Sequence, residues 1–220
     1  MNEQVTALLP VKQMDQAKSR LALNLSPEQR RELVRCMVQD VLATLIKVTN
    51  MTTIVLTSDE WARTLALEFG VDTIDDRGSG ETAVIEGATE YLVEQGAAAS
   101  LVIPGDVPLI TIEEIDRILA ARVKRGSVLI PSRSGRGTNA VLRAPADLFD
   151  LQFGDDSFPV HLRRARETGS PCEVLELEGI GLDVDRVDDL CELMDRQGHC
   201  RSQAFLESSG IADRLRAPRL

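Results

Sequence analysis

The stretch "LVIPGDVPLI" (residues 101–110) carries an aliphatic run to a single aspartate, Asp106, then resumes with Pro108 and more aliphatics. A segment of this composition is built to be buried, so the carboxylate stands at the sheet's edge, where a core strand ends. Pro104 and Pro108 stiffen the turn around it, and Gly105 stands beside it. Taken alone, Asp106 has two readings. It is a turn aspartate bonded to its own backbone, or a fixed oxygen ligand for Mg²⁺.

Outward from this stretch, short aliphatic runs alternate with longer amphipathic ones. Strands are predicted at 5–9, 52–58, 71–75, 127–132, 139–145 and 172–178, with 101–110 as the fourth in chain order. Helices are predicted over 26–48, 59–69, 81–95, 111–125, 157–168 and 186–197. In the first of these, Ser26 is the cap, Pro27 the first helical residue and Gln29 the partner in a capping box. Leu33, Met37, Val41 and Leu45 then recur at helical spacing. Thr111 and Glu114 form a second capping box, and Gly70 and Gly96 stop the helices before them. The tail from about residue 200 is expected to be a short, peripheral surface helix. This alternation predicts an α/β fold: one domain over 1–220, with a mostly parallel twisted sheet and helices on both faces. In such folds ligands bind at the carboxyl ends of the strands.

Composition narrows the function. In 220 residues, 43% hydrophobic content supports a sizeable core, while a formal net charge of −10 opposes sequence-independent binding to nucleic acid or to an anionic membrane. Aromatic residues, at 3%, are too few for a base-stacking platform. Cys36, Cys172, Cys191 and Cys200 are widely spaced, which argues against zinc or disulfides and for a reducing cytoplasm. Glu3, Lys12 and Asp15 interrupt any apolar leader, and no run is long enough for a membrane span.

The loops after the strands carry the chemistry. After the first strand neither a dinucleotide-binding nor a phosphate-binding glycine motif is present. Lys12, Lys18 and Arg20 cluster there instead, either to neutralise a triphosphate or as a solvated basic loop. In "GLDVD" (181–185), Asp183 and Asp185 are two apart, so an extended chain points both at one face, and a bound cation relieves their repulsion. With Asp106 they form a candidate Mg²⁺ cage; Asp188 and Asp189 read instead as helix N-terminal acids. "PSRSGRGTNAVLR" (131–143) supplies glycines for close backbone approach, Arg133 and Arg136 for charge, and the Thr138 hydroxyl. In "FGDDSFP" (153–159), Gly154 and Ser157 stand before a helix whose first N–H groups hold a phosphate or carboxylate, or Ser157 is a plain cap. His161 and His199 are expected on the surface, and no Ser–His or Cys–His arrangement is evident. A reaction whose nucleophile is already ionised, such as a phosphate, needs no general base.

Together "LLPVKQMDQAKSRLA" (8–22), "IPGDVPLI" (103–110), "GRGTNAVL" (135–142), "FGDDSF" (153–158) and "GLDVDRVDDL" (181–190) resemble the 2-phospho-L-lactate/phosphoenolpyruvate guanylyltransferase family of coenzyme F-420 biosynthesis. The resemblance runs over about residues 5–195 in unchanged motif order. It implies a nucleotide-diphospho-sugar transferase-like, Rossmann-like fold. It also implies transfer of GMP from GTP to the phosphate of a small phospho-carboxylate, with release of pyrophosphate. The acceptor stays open among phosphoenolpyruvate, 2-phospho-L-lactate and 3-phospho-D-glycerate. Carried over by position, Asp106, Asp183 and Asp185 hold Mg²⁺, with Asp106 and Lys18 catalytic. Lys12, Lys18 and Arg20 meet the nucleotide phosphates, and Thr138, Gly154 and Ser157 meet the acceptor. Thr82 in "GETAVIEGA" (80–88) replaces an asparagine that many members carry. Neither nucleic acid nor membrane is implied as a partner, and a homodimer stays open. The rivals are another nucleotidyltransferase of this fold, using CTP or loading a sugar phosphate or molybdopterin, and a non-catalytic binding module for an acidic metabolite.

Overall fold

The structure is a computed structural model that describes residues 4–14, 18–76 and 80–216; Glu3 and Asp15 lie outside these. Seven strands form one sheet: β1 (Val5–Pro10), β2 (Met51–Leu56), β3 (Asp72–Ile74), β4 (Ala99–Val102), β5 (Gly126–Pro131), β6 (Thr138–Ala144) and β7 (Cys172–Val174). Their spatial order is β3-β2-β1-β4-β6-β5-β7. β1 pairs in parallel with both β2 and β4, and β2 with β3. β6 runs antiparallel to β4 and to β5, and β7 is parallel to β5, so β6 alone among these strands is reversed.

Alternation along the strands sorts the core into two layers, as a period of two requires. Ala7, Leu9, Leu101, Val128 and Ile130 face a layer made by α1 (Pro27–Leu45), α2 (Glu60–Glu68) and α4 (Ile112–Ala120). Leu8, Val102, Leu129 and Val141 face the other, made by α3 (Glu81–Glu94) and α5 (Ser157–Glu167). Both predicted capping boxes form: Ser26 Oγ accepts from Gln29 N, and Thr111 Oγ1 from Glu114 N, each answered by the reciprocal bond. Leu33, Met37, Val41 and Leu45 are all fully buried. Among the described residues, no helix is long and apolar enough to cross a membrane.

Three expectations are corrected. The helix predicted to run to residue 125 ends at Ala120, because the chain must turn back into β5 at Gly126, where an added Cβ would lie 2.7 Å from the Pro171 carbonyl oxygen. The strand predicted over 172–178 stops at Val174. From there the chain leaves the sheet and lays Gly179 against α4, where Glu114 Oε1 accepts its N–H at 2.7 Å. The tail is two helices, α7 (Arg201–Ser208) and α8 (Ile211–Arg216), rather than one on the surface. Leu206 and Ile211 are buried in a third apolar cluster with Met37 of α1 and with Leu190 and Leu193 of α6 (Val187–Asp195).

Asp40 of α1 fixes that tail. Its carboxylate accepts from Arg201 N (2.8 Å), Ser202 N (2.9 Å) and Ser202 Oγ (2.7 Å), serving the first turn of α7. Asp40→Ala should lower the unfolding free energy by roughly 2–3 kcal/mol, since buried amides lose their charged acceptor. Asp40→Asn should lose less. Urea midpoints measured at a constant m-value separate the two.

Candidate active site

The chain leaves β1 toward β2 on one side and returns to β4 on the other, so the crevice at the carboxyl ends of β1 and β4 is the topological switch point. Two loops meet there. The loop after β4 carries Asp106. It lies close on α1, since a Cβ on Gly105 would come within 2.9 Å of Val38 Cγ2. The loop after β1 carries Lys18 in the left-handed region (φ 54°, ψ 44°), ahead of a short 3-10 turn whose Leu21 is buried. A side chain in that region costs on the order of 1 kcal/mol or more, and persists where its surroundings hold it.

Here the ammonium is what is held. Lys18 Nζ lies 2.6 Å from Asp106 Oδ2 and 2.6 Å from Asp185 Oδ1. Its side chain is only 9% exposed. Burial alone would push its pKa down, but the two carboxylates outweigh burial and hold it above the ordinary lysine value. Asp185 is the converse: burial would raise it, and Lys18 first, then Arg20 and Arg186, bring it below the usual carboxylate range. Arg20 adds a contact to Asp185 Oδ2 at 3.1 Å.

Residues 182–185 alternate as predicted, with Leu182 and Val184 buried and both aspartates lining one cleft. The segment is an extended loop, tied down when Val184 N donates to the Asp106 carbonyl (3.0 Å). Asp189 Oδ2 also accepts from the backbone N–H groups of Asp185 and Arg186. The two aspartates are not equivalent. Asp183 accepts from Asn139 Nδ2 at 3.1 Å and, among the described residues, pairs with no cation, so burial, reinforced by the negative charges of Asp106 and Asp185, holds its pKa above the carboxylate range.

Among the described residues, no group of three or more His, Cys, Asp or Glu side chains is arranged to hold a metal ion. The donor set nonetheless suits a hard cation, with carboxylate oxygens close enough for Asp183 to feel both neighbours' charge. In this arrangement Lys18 supplies the positive charge.

Lys12, Lys18 and Arg20 do not form a bare cationic patch. Lys12 Nζ pairs with Glu81 of α3 at 2.9 Å, and Arg20 also approaches Asp155 at 3.9 Å. The glycine-rich turn is paired as well, Arg136 with Asp156 (2.6 Å) and Arg133 with Glu192.

Thr138 and Ser157 do converge, from β6 and from the first turn of α5. Ser157 Oγ accepts from Thr138 N at 2.9 Å and lies 3.4 Å from Thr138 Oγ1. Both residues are buried, and the cleft is lined instead by their chain neighbours Gly137, Gly154 and Asp156. Ser157 is not the helix cap; that position is Asp156, which is left-handed and makes no side-chain capping bond. His161 is corrected: it is fully buried, with Nδ1 2.8 Å from Thr138 Oγ1. His199 is exposed as expected.

Several functional neighbours are not singled out by the sequence reading. Asn139 holds Asp183 and the Ile180 carbonyl. The loop leading to Gly154 donates three successive amides, Leu151, Gln152 and Phe153, to Glu86, His161 and Thr82. The Thr82 oxygen thus secures this loop, at the position where the resemblance leads one to look for asparagine. The signal for His161 was available: 157, 161 and 165 share one helical stripe, and all three are buried.

Two clefts meet at this centre. One, of about 510 Å³, is lined by the glycine-rich turn, Gly154, Asp183 and Asp185. The other, of about 470 Å³, is lined by Lys12, Met37, Val38, Gly105 and Asp106. Lys18 borders the second, and Asp185 borders both.

The contrast between the two aspartates is testable in the metal-free chain. Asp183→Asn should raise the melting temperature, since a carboxylate whose folded pKa is elevated is disfavoured when ionised. Asp185→Asn should lower it by roughly 2–4 °C, about 1 kcal/mol with solvent screening included. Because the folded pKa of Asp185 is depressed, its contribution is present above the unfolded carboxylate pKa and disappears as pH falls through the folded one. Melting curves at neutral and acid pH measure both signs.

The family described as guanylyl transferase CofC like matches residues 5–217. A phosphoenolpyruvate guanylyltransferase from Sphaerobacter thermophilus is 34% identical over 205 residues, 93% of this chain and 98% of the relative. A 2-phospho-L-lactate guanylyltransferase from Methanothermobacter thermautotrophicus is 30% identical over 86% of this chain and 83% of its own length. A solved structure from Desulfovibrio desulfuricans G20, described as a nucleotide-diphospho-sugar transferase, superposes with a TM-score of 0.80 at 16% identity, covering 96% of this chain and 97% of that one. That likeness concerns the fold, and it agrees with the predicted class.

Proposed function

The chain belongs to the guanylyl transferase CofC-like family, and we propose that it moves GMP from GTP onto the phosphate of a small phospho-carboxylate, as coenzyme F-420 biosynthesis requires. The observation that carries this reading is the pair of clefts that share Asp185, itself paired with Lys18, one room for each substrate. A phosphate oxygen of the acceptor attacks the α-phosphorus of GTP. That O–P bond forms as the bond from the α-phosphorus to the bridging oxygen breaks, and pyrophosphate leaves with the electron pair. The nucleophile is already an anion, so no general base is needed, and catalysis rests on placement and charge neutralisation.

The cleft beside Lys12 and Met37 takes the nucleotide. Lys12 exchanges Glu81 for a phosphate oxygen, and Lys18 and Arg20 neutralise the remaining charge. The cleft under the glycine-rich turn takes the acceptor, held by Gly154, Thr138 and Ser157 at the start of α5, where the N-cap side chain makes no capping bond. Asp106, Asp183 and Asp185 would hold Mg²⁺, which when bound supplies Lewis-acid neutralisation of phosphate charge. The chain acts on this reading as a single nucleotidyltransferase domain in the cytoplasm.

The test is a panel of GTP, CTP, ATP and UTP against phosphoenolpyruvate, 2-phospho-L-lactate and 3-phospho-D-glycerate, with and without Mg²⁺, read as pyrophosphate release. Turnover confined to GTP, with one acceptor preferred and Mg²⁺ required, is the expected result; preference for CTP, or binding without turnover, contradicts it. Asp106→Asn should reduce kcat/KM on the order of a hundredfold. Lys18→Ala should weaken GTP more than the acceptor.

A further inference from the structure

His161 has no part in the phosphoryl chemistry, yet it is fully buried and both ring nitrogens are engaged. Nε2 lies 2.8 Å from the Gln152 amide nitrogen. A backbone amide can only donate, so Nε2 is the acceptor and carries no proton. In a neutral imidazole the proton then sits on Nδ1, 2.8 Å from Thr138 Oγ1. Burial first, then the nearby charges of Arg164 and Arg143, hold the ring's pKa down to about 4, so it is neutral through the physiological range. Thr138 Oγ1 therefore accepts from the ring, and accepts a longer bond from Ser157 Oγ at 3.4 Å. An oxygen that accepts twice still has its own O–H to give. Among the described residues that proton has no further partner.

We propose that His161 is a positioning residue: through its Nδ1–H it turns the Thr138 hydroxyl into a donor for the acceptor's anionic group. This rests on the reading of Thr138, Gly154 and Ser157 as the acceptor's contacts. The same ring holds the Gln152 amide, so one side chain fixes both a hydroxyl and the loop that ends at Gly154. A protonated ring, or the tautomer with its proton on Nε2, would set the Gln152 N–H against another N–H and release that loop.

Two measurements test it. In the ligand-free full chain, ¹³C and ¹⁵N shifts of His161 should report the Nδ1-protonated tautomer, unchanged from about pH 8 to about pH 5. The other tautomer, or titration near the ordinary histidine value, overturns the assignment. In steady-state transfer, His161→Leu should raise the acceptor KM by roughly tenfold or more while the GTP KM stays within about twofold. His161→Asn puts an amide donor near the position of Nδ1 and should recover most of the loss. His161→Gln, which reaches toward Nε2, should restore the loop contact but not the acceptor KM. A wild-type acceptor KM in the leucine variant overturns the proposal, as does equal impairment of both substrates in all three variants. If the leucine variant fails to fold, the Asn–Gln contrast decides. If the wild-type protein transfers GMP to no acceptor, the functional reading fails, while the tautomer still decides the ring's part.

Discussion

One nearly buried ammonium, shared by two carboxylates 88 and 167 residues away in the chain, ties the candidate active site together. Lys18 comes from the loop after β1, Asp106 from the loop after β4, and Asp185 from the extended segment that precedes α6. No secondary structure links the three. Removing either carboxylate leaves the nearly buried ammonium one partner short, while the intact cluster adds little net stability once desolvation is counted. The arrangement therefore does more to specify geometry than to strengthen the fold. It brings three loop ends to one point at the mouth of the switch crevice, and it holds positive charge where the proposed reaction would place the nucleotide's phosphates.

A second set of restraints shapes the other cleft. Thr82 and Glu86 stand one helical turn apart on α3 and take the amides of Phe153 and Leu151; His161, from α5, takes the amide between them. The backbone before Gly154 is thus held from two helices. Glu86 in turn meets the fully buried Arg143, whose guanidinium also donates to the Phe149 carbonyl and to Thr89. Burial lowers the pKa of Arg143, and Glu86 foremost among nearby acids works against that. Preorganisation of this kind limits how much freedom a small anion must remove on binding.

What the sequence made legible was local. Ser26 with Gln29 and Thr111 with Glu114 advertise capping boxes within four residues, and the apolar stripe of α1 reads directly as a buried face. The alternation of Leu182, Asp183, Val184 and Asp185 likewise announced which side chains face the cleft. What stayed hidden was the choice of partner. Nothing in "GLDVD" says that one aspartate finds an ammonium and the other an amide, because Lys18 and Asn139 arrive from distant strands. Residue type alone puts His161 on the surface; its spacing from Ser157 and Ala165 puts it on the inward stripe of α5. The tail was underestimated for a similar reason: Leu206 and Ile211 look isolated until Asp40 gives α7 a place to start.

The reversed direction of β6 has a consequence for how such a site diversifies. The parallel strands β1 and β4 reach the crevice with their carboxyl ends, whereas β6 reaches it with its beginning, Thr138 and Asn139, straight out of the turn that joins it to β5. One wall is thus written in a contiguous β-hairpin, and the opposite wall in crossover loops whose lengths are set by whole helices. On the proposed assignment of the two clefts, changes in the hairpin turn would remodel the acceptor's side while leaving the nucleotide's side untouched. That assignment separates the two recognition problems, so that drift in acceptor preference and retention of the nucleotide would proceed on different stretches of chain.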